Sequence, residues 1–325
     1  MKIFSLNQLP LYTDDFFFRE LNDRNRDAIV IFNPIDALIV SPVFMRSRKS
    51  LEEHIAFIRD NNIKKAIVVA EDISFLKECS SLEYLMIFPS INSNDFDYSP
   101  IYELKNIKWL QCETTYGIKN EKVANIDYAQ FKKLKRLGVS GQEGNINVQK
   151  AKEITSLCFY EGFPSSKNLD GFIPNESLKS LRIMQSPIQS LKGIEHSSCL
   201  TRLELSYNRK LVDISPLNNL SDTLVYLEIN MCGKICDFSV LKELHNLEFL
   251  ILKGSNTLQD ISFIKGMPNL KNFELTMNVE DGDLTCCEGL SYVRIKNRKH
   301  FSHKDNEFSK DYVEPEQKIP FEAIE

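Results

Sequence analysis

Leu200-Thr201-Arg202-Leu203-Glu204-Leu205 places apolar residues at its first, fourth and sixth positions. The same spacing returns in Leu224-Val225-Tyr226-Leu227-Glu228-Ile229, in Leu247-Glu248-Phe249-Leu250-Ile251-Leu252 and in Leu270-Lys271-Asn272-Phe273-Glu274-Leu275. Toward the N-terminus further copies start at Leu178, Ile154, Leu134, Ile107, Leu82 and Ile63, with a candidate first copy at Ile35. Toward the C-terminus the last copy starts at Leu290. Twelve starts follow one another at spacings of 19 to 28 residues. The fourth and sixth positions are two apart, so they share one face of an extended strand, and the fifth points the other way. One such strand cannot cover its own apolar face. Stacking on its neighbours does, at roughly 1.5–3 kcal/mol for each fully buried Leu or Ile. The expectation is a parallel array of strands, with the chain returning over the back after each one.

The returns carry a pattern of their own. Asp213-Ile214-Ser215-Pro216-Leu217 is followed by Leu220, and Asp260-Ile261-Ser262-Phe263-Ile264 by Met267. Asp237-Phe238-Ser239-Val240-Leu241 and Asp72-Ile73-Ser74-Phe75-Leu76 echo them. With the strand motif, this half-unit resembles the leucine-rich-repeat superfamily over roughly residues 35–297, in particular its short-repeat, internalin-like bacterial class. The resemblance implies an α/β solenoid with a concave parallel sheet and mostly 3₁₀ turns and short helices on the convex side. It says little about function, because one repeat fold serves many unrelated partners. The family usually has Asn at the ninth position of each unit. Here that place holds Asn208 and Asn278, but Cys232 and Ser255 in two other units, and Ser90, Thr115, Gln142, Gly162 and Ser186 earlier.

A stack of this kind needs caps. Residues 1–34 are expected to form the N-terminal cap, with Ile29–Phe32 as a candidate strand. Ser50-Leu51-Glu52-Glu53 has the capping-box spacing, and Leu51, Ile55 and Ile58 fall on one helical face behind it. Residues 298–325 read as a C-terminal cap followed by a loose acidic tail.

The composition bounds the function classes. The chain has 325 residues, 40 Lys+Arg and 45 Asp+Glu, for a net charge of −5. That balance argues against a general nucleic-acid binder, which needs a basic face to neutralise phosphates. The most apolar stretch, Ala28–Phe44, is broken by Asn33, Pro34 and Asp36, so no membrane span is expected. The N-terminus does not read as a secretory leader, and the expected location is the cytoplasm. The eight cysteines form no framework and read as free thiols in a reducing compartment. No G-x-S-x-G, H-E-x-x-H or Walker-type loop occurs, so no enzyme, cofactor or metal is expected.

Function is then expected on the concave sheet, where third, fifth and seventh positions of each unit face outward. Near the N-terminal end these are Tyr84, Met86, Phe88 and Trp109, the last being the chain's one tryptophan. Aromatic residues and Met are enriched at interface cores. In the later units Arg182, Arg202, Glu204, Tyr226, Glu228 and Asn230 form a mixed polar stripe, with Phe249 and Lys253 beside it. The expected activity is binding of one protein partner, such as a toxin to be neutralised or an enzyme to be regulated. The alternatives are a self-associating homodimer built on the aromatic patch and, more weakly, carbohydrate or surface recognition. A basic end, Lys296, Arg298, Lys299, His300, His303 and Lys304, is read as a solvated terminus, with His300 and His303 as a conceivable metal pair.

Overall fold

The structure, a computed structural model, describes residues 12–13, 16, 28–33, 46–89, 96–112, 126–140, 147–160, 162–174 and 177–314. Among them the chain forms two compact units, the second beginning at Asn147. The first unit carries β1 (Ile29–Asn33), β2 (Lys65–Ala70), β3 (Tyr84–Pro89), β4 (Trp109–Cys112) and β5 (Arg136–Ser140), paired in that order and all parallel. The second carries β6 (Ser156–Tyr160), β7 (Ser180–Met184), β8 (Arg202–Ser206), β9 (Tyr226–Asn230), β10 (Phe249–Lys253), β11 (Asn272–Leu275) and β12 (Tyr292–Ile295). These too are parallel neighbours in sequence order.

From β2 onward every strand begins at the third position of its motif copy. Register follows from this: Leu203 lies opposite Leu227 and Leu205 opposite Ile229, so equivalent core positions stack directly. Leu203, Leu205, Leu227, Ile229, Leu250 and Leu252 are fully buried, as are the motif's first residues Leu200, Leu224 and Leu247. A slip of one residue would turn each strand's core set outward, which is why the pattern fixes the register so firmly. The candidate copy at Ile35 lies outside the described residues, and the strand that pairs with β2 is Ile29–Asn33.

The returns are mostly 3₁₀ turns, and their sequence explains why. In Asp213-Ile214-Ser215 the Asp213 carboxylate accepts the backbone N–H of Ser215 (3.0 Å) and its hydroxyl (2.7 Å), so the turn starts with a donor already satisfied. The same contact recurs at Ser74 on Asp72 (2.9 Å), Ser239 on Asp237 (2.8 Å) and Ser262 on Asp260 (2.7 Å). Two further copies escape the sequence pattern: Ser99 on Asp97 (2.8 Å) and Thr285 on Asp283 (2.9 Å). These hydrogen bonds hold the carboxyls of Asp72, Asp237, Asp260 and Asp283 below their ordinary range, and the Ser190 hydroxyl (2.6 Å) followed by Ser215 does so for Asp213.

One full helix is present among the described residues, α1 (Leu51–Asp60), and its capping box is formed as expected. The Ser50 Oγ accepts the Glu53 N–H (3.2 Å), and the Glu53 carboxylate accepts the Ser50 N–H (2.7 Å). Ile58 is buried, whereas Leu51 and Ile55 are only half-buried. His54 lies on the inner side of this helix. It is buried, with Nδ1 2.7 Å from the Ser50 carbonyl and its ring edge-on to Phe16 at 5.1 Å. Burial pushes its pKa below the ordinary value.

That shift has a testable sign. Above about pH 6.5, the unperturbed value, His54 is neutral folded or unfolded and contributes no pH dependence. Below it the unfolded chain takes up the proton first, so stability falls as pH drops toward the folded-state value and levels off below it. Thermal melts between pH 7.5 and 5 should show this loss, and His54→Gln should flatten it. Carboxyl titration lies below this window, so parallel slopes for the two proteins would sink the assignment.

Candidate functional site

The face opposite the leucine core carries a continuous polar network across β7 to β9. Strand parity and register place Arg182, Glu204 and Glu228 side by side on successive strands. Glu204 stands at the centre and is only 6% exposed. It accepts Arg182 Nε at 2.6 Å and Arg202 Nε at 2.6 Å, one on each carboxylate oxygen. Charge-assisted bonds this short are roughly twice as strong as neutral ones. The Arg202 guanidinium also lies 3.6 Å above the Tyr226 ring, a cation–π contact. The Tyr226 hydroxyl donates to Glu228 (3.2 Å), to which the Asn230 amide also turns (3.5 Å). Burial and the Glu228 charge push the Tyr226 hydroxyl pKa well up, so it stays a donor at any physiological pH. Beside the network Phe249 stacks on Tyr226 at 6.0 Å, and Lys253 pairs with Glu274 at 2.9 Å. The stripe read from the sequence is thus brought together as one constellation.

It is less open than the sequence reading held. Tyr226, Phe249 and Asn272 are buried at 8%, 1% and 4% exposure. Of the expected cap and tail, Ser309 and Lys310 run along the edge of β12, Tyr312 and Val313 turn onto this face, and residues 315–325 lie outside the described residues. The Val293 N–H donates to the Ser309 carbonyl (3.0 Å), and Lys310 bridges Tyr292 in antiparallel fashion. Lys310 Nζ pairs with Asp305 at 2.9 Å. The Tyr312 ring packs edge-on against Tyr292 (5.3 Å) and tilted against Phe249 (6.4 Å). The Asn272 carboxamide then holds Val313 at both ends, donating to its carbonyl (2.9 Å) and accepting its N–H (3.2 Å). The apolar pair Tyr312-Val313 was the available signal, hidden inside a stretch read by its charge.

The aromatic patch of the first unit is also partly closed. Tyr84 lies opposite Trp109, and Met86 and Phe88 alternate with the core residues of β3. All four are half-buried. Met86 and Phe88 pack against a small cluster of Ala28, Val30 and Ile67. Ile67 and Val69, at positions expected to face outward, are 2% and 1% exposed. The sheet therefore has apolar packing on both faces here, which explains why β2 is an unbroken apolar run after Lys65.

The basic end resolves into capping contacts. Lys304 Nζ donates to the Arg298 and Phe301 carbonyls (2.9 and 3.0 Å). His300 Nε2 bonds the Val279 carbonyl (2.8 Å), while His303 meets Ser302 and Glu288. The two histidines are spent on different partners and do not converge. Asp170, Glu195 and His196 do bring ligand-type atoms within 4.8 Å of one another. Glu195 there accepts the Gly193 N–H (2.7 Å) and Asp170 pairs with Lys192 (3.2 Å), an arrangement accounted for by the turn itself. Every cysteine is free. No helix among the described residues is long and apolar enough to cross a membrane.

A search of solved structures returns the crystal structure of an internalin, InlF, from Listeria monocytogenes, with a TM-score of 0.52. The match covers 79% of this chain and 76% of that one. The chain thus has the fold of a leucine-rich-repeat solenoid. At 20% identity the likeness is one of fold. The crystal structure of internalin C2 from the same organism also matches, at 20% identity and a TM-score of 0.38, over 55% of this chain and 74% of that one. No family model and no curated protein matches. Within the leucine-rich-repeat frame, Asn208 fills the ninth-position role: its amide donates to the Ile183 carbonyl (2.8 Å) and accepts the Ser186 N–H (2.9 Å). Cys232 stands in the same place one repeat on, its thiol 3.7 Å from the Leu205 carbonyl. Asn278 instead joins a short strand with Thr257 and Leu258. In the repeat before it, next to Ser255, Asn256 supplies the inward amide, to the carbonyls of Ile235 (2.9 Å) and Cys232 (3.4 Å).

Proposed function

We propose that this protein is a non-enzymatic binding scaffold that engages one protein partner through the concave face of its second unit. The observation that carries the reading is the Glu204-centred network. Two guanidiniums, a carboxylate and an aromatic ring are locked together on the face opposite the core, before any partner arrives. Tyr and Arg are the residue types over-represented among binding hot spots, and groups already fixed lose little freedom on association. The mixture of both charge signs favours a protein surface over nucleic acid, in keeping with the net charge of −5. Neutralising a toxin or regulating an enzyme in the cytoplasm are the roles such a scaffold would fill. Homodimerisation through Tyr84, Met86, Phe88 and Trp109 is the second reading, and their half-burial leaves it a smaller surface to use.

The test is capture from a lysate of the source organism on immobilised wild-type, Tyr226→Ala and Trp109→Ala protein, each first confirmed folded by circular dichroism. One protein held by the wild type and by Trp109→Ala, but lost from Tyr226→Ala, is the expected result. Equal retention on all three columns would remove the concave face of the second unit from consideration. Light scattering of the pure protein decides the dimer: a monomer at tens of micromolar excludes it.

A further inference from the structure

We propose that the concave face over β10 to β12 is a groove for an extended segment of a partner protein that carries an aromatic side chain, and that Asp311–Val313 is its resident, displaceable occupant. The inference rests on the binding-scaffold reading above and names where and how the partner would dock.

The chemistry of the contact is that of peptide recognition. Asn272 takes both the N–H and the carbonyl of Val313, a pairing that any extended chain can satisfy whatever its side chain. It is 4% exposed, so with the strap lifted its carboxamide loses two partners at once. A second extended chain restores both. One residue before this clamp, Tyr312 enters the space between Tyr292 and Phe249. The site thus reads a backbone at one position and an aromatic ring at the next.

The strap itself is lightly held. Tyr312 keeps 49% of its surface exposed although it is the anchor, and Lys310, Asp311 and Glu314 are exposed beside it. Phe308 is buried, and Ser309 and Lys310 are paired with the edge of β12, which marks where firm attachment ends. The residues beyond Lys310 can leave without opening the cap. A ring that filled the Tyr292–Phe249 space more completely, in a segment better anchored on either side, would win the same position. The strap competes from a short tether, which corresponds to an effective concentration of order millimolar. It therefore excludes weak, casual peptides and admits a partner that binds well.

The probe is a labelled synthetic peptide of residues 308–325 of this chain, titrated by fluorescence anisotropy into full-length protein. Wild type should bind it poorly because the internal copy occupies the groove. Full-length Tyr312→Ala, whose own strap has lost its ring, should bind it at least about tenfold more tightly. Adding Asn272→Ala to that chain, or Tyr312→Ala to the peptide, should abolish the gain, with folding of each protein checked by circular dichroism. A folded Tyr312→Ala chain that binds no better than wild type overturns the proposal. The peptide should also elute the protein captured from lysate, and a captured protein that stays on the column overturns the groove as its docking site. An empty lysate column combined with tight peptide binding falls on the scaffold reading instead, so the two failures are told apart.

Discussion

Asn208→Ala should lower the unfolding free energy by about 2–4 kcal/mol, measured by urea titration. The side chain is fully buried and ties the turn after β8 to the end of β7. Its removal leaves the Ile183 carbonyl and the Ser186 N–H without partners inside the stack. Each orphaned buried group costs about 1–3 kcal/mol, and no side chain stands ready to replace the amide. Cys232→Ala is the internal comparison, because it removes the side chain from the corresponding place in the next repeat. The thiol there is a weak donor at 3.7 Å, so its loss should cost about 1 kcal/mol, mostly as lost packing. If the two variants lose similar amounts, the amide is not the inter-repeat staple that its geometry describes.

This contrast marks what the sequence makes legible. Strand positions, register and the 3₁₀ returns all follow from local patterns: two core residues two apart, and a carboxylate two residues before a serine. Each pattern is satisfied by contacts within a repeat or with the next one, so it recurs and can be read. Features made once are invisible to such a reading. Asn272 sits at a third position like Arg202 or Tyr226, and nothing nearby announces that its partner is Val313, 41 residues away. Phe16 stacking on Phe57 at 4.1 Å, which helps bury His54, is equally nonrepetitive. The same holds for the face opposite the leucine core: parity tells which side a residue points to, not whether another part of the chain comes to lie there. Ile67, Val69, Phe249 and Asn272 point to the side that parity assigns, and other parts of the chain bury them there. The polar stripe came through because its members are neighbours by register alone. Arg182, Glu204 and Glu228 must adjoin once β7, β8 and β9 pair in step.

Glu204→Ala should cost about 2–3 kcal/mol of stability and weaken partner capture at least tenfold. The carboxylate touches both Arg182 and Arg202, each at 2.6 Å. Deleting one partner of a buried ion pair costs about 3–5 kcal/mol, because the charge left behind has lost both its water and its counterion. The value expected here is smaller, since the arginine side chains retain 23% and 19% of their exposure and can be partly rehydrated. Two like charges left facing one carboxylate's empty place also repel, so Arg202 should move off the Tyr226 ring. Glu204→Gln separates the two causes. It keeps an acceptor for one guanidinium and removes the charge, so it should fall between wild type and alanine in stability. Partner capture should follow the order of the guanidiniums rather than that of stability. If binding depends on Arg202 being held over Tyr226, Gln should retain more of it than its melting temperature suggests. If Glu204→Ala proves as stable as wild type, the network is an ordinary solvated ion pair. The face would then owe its binding competence to something other than a pre-formed floor.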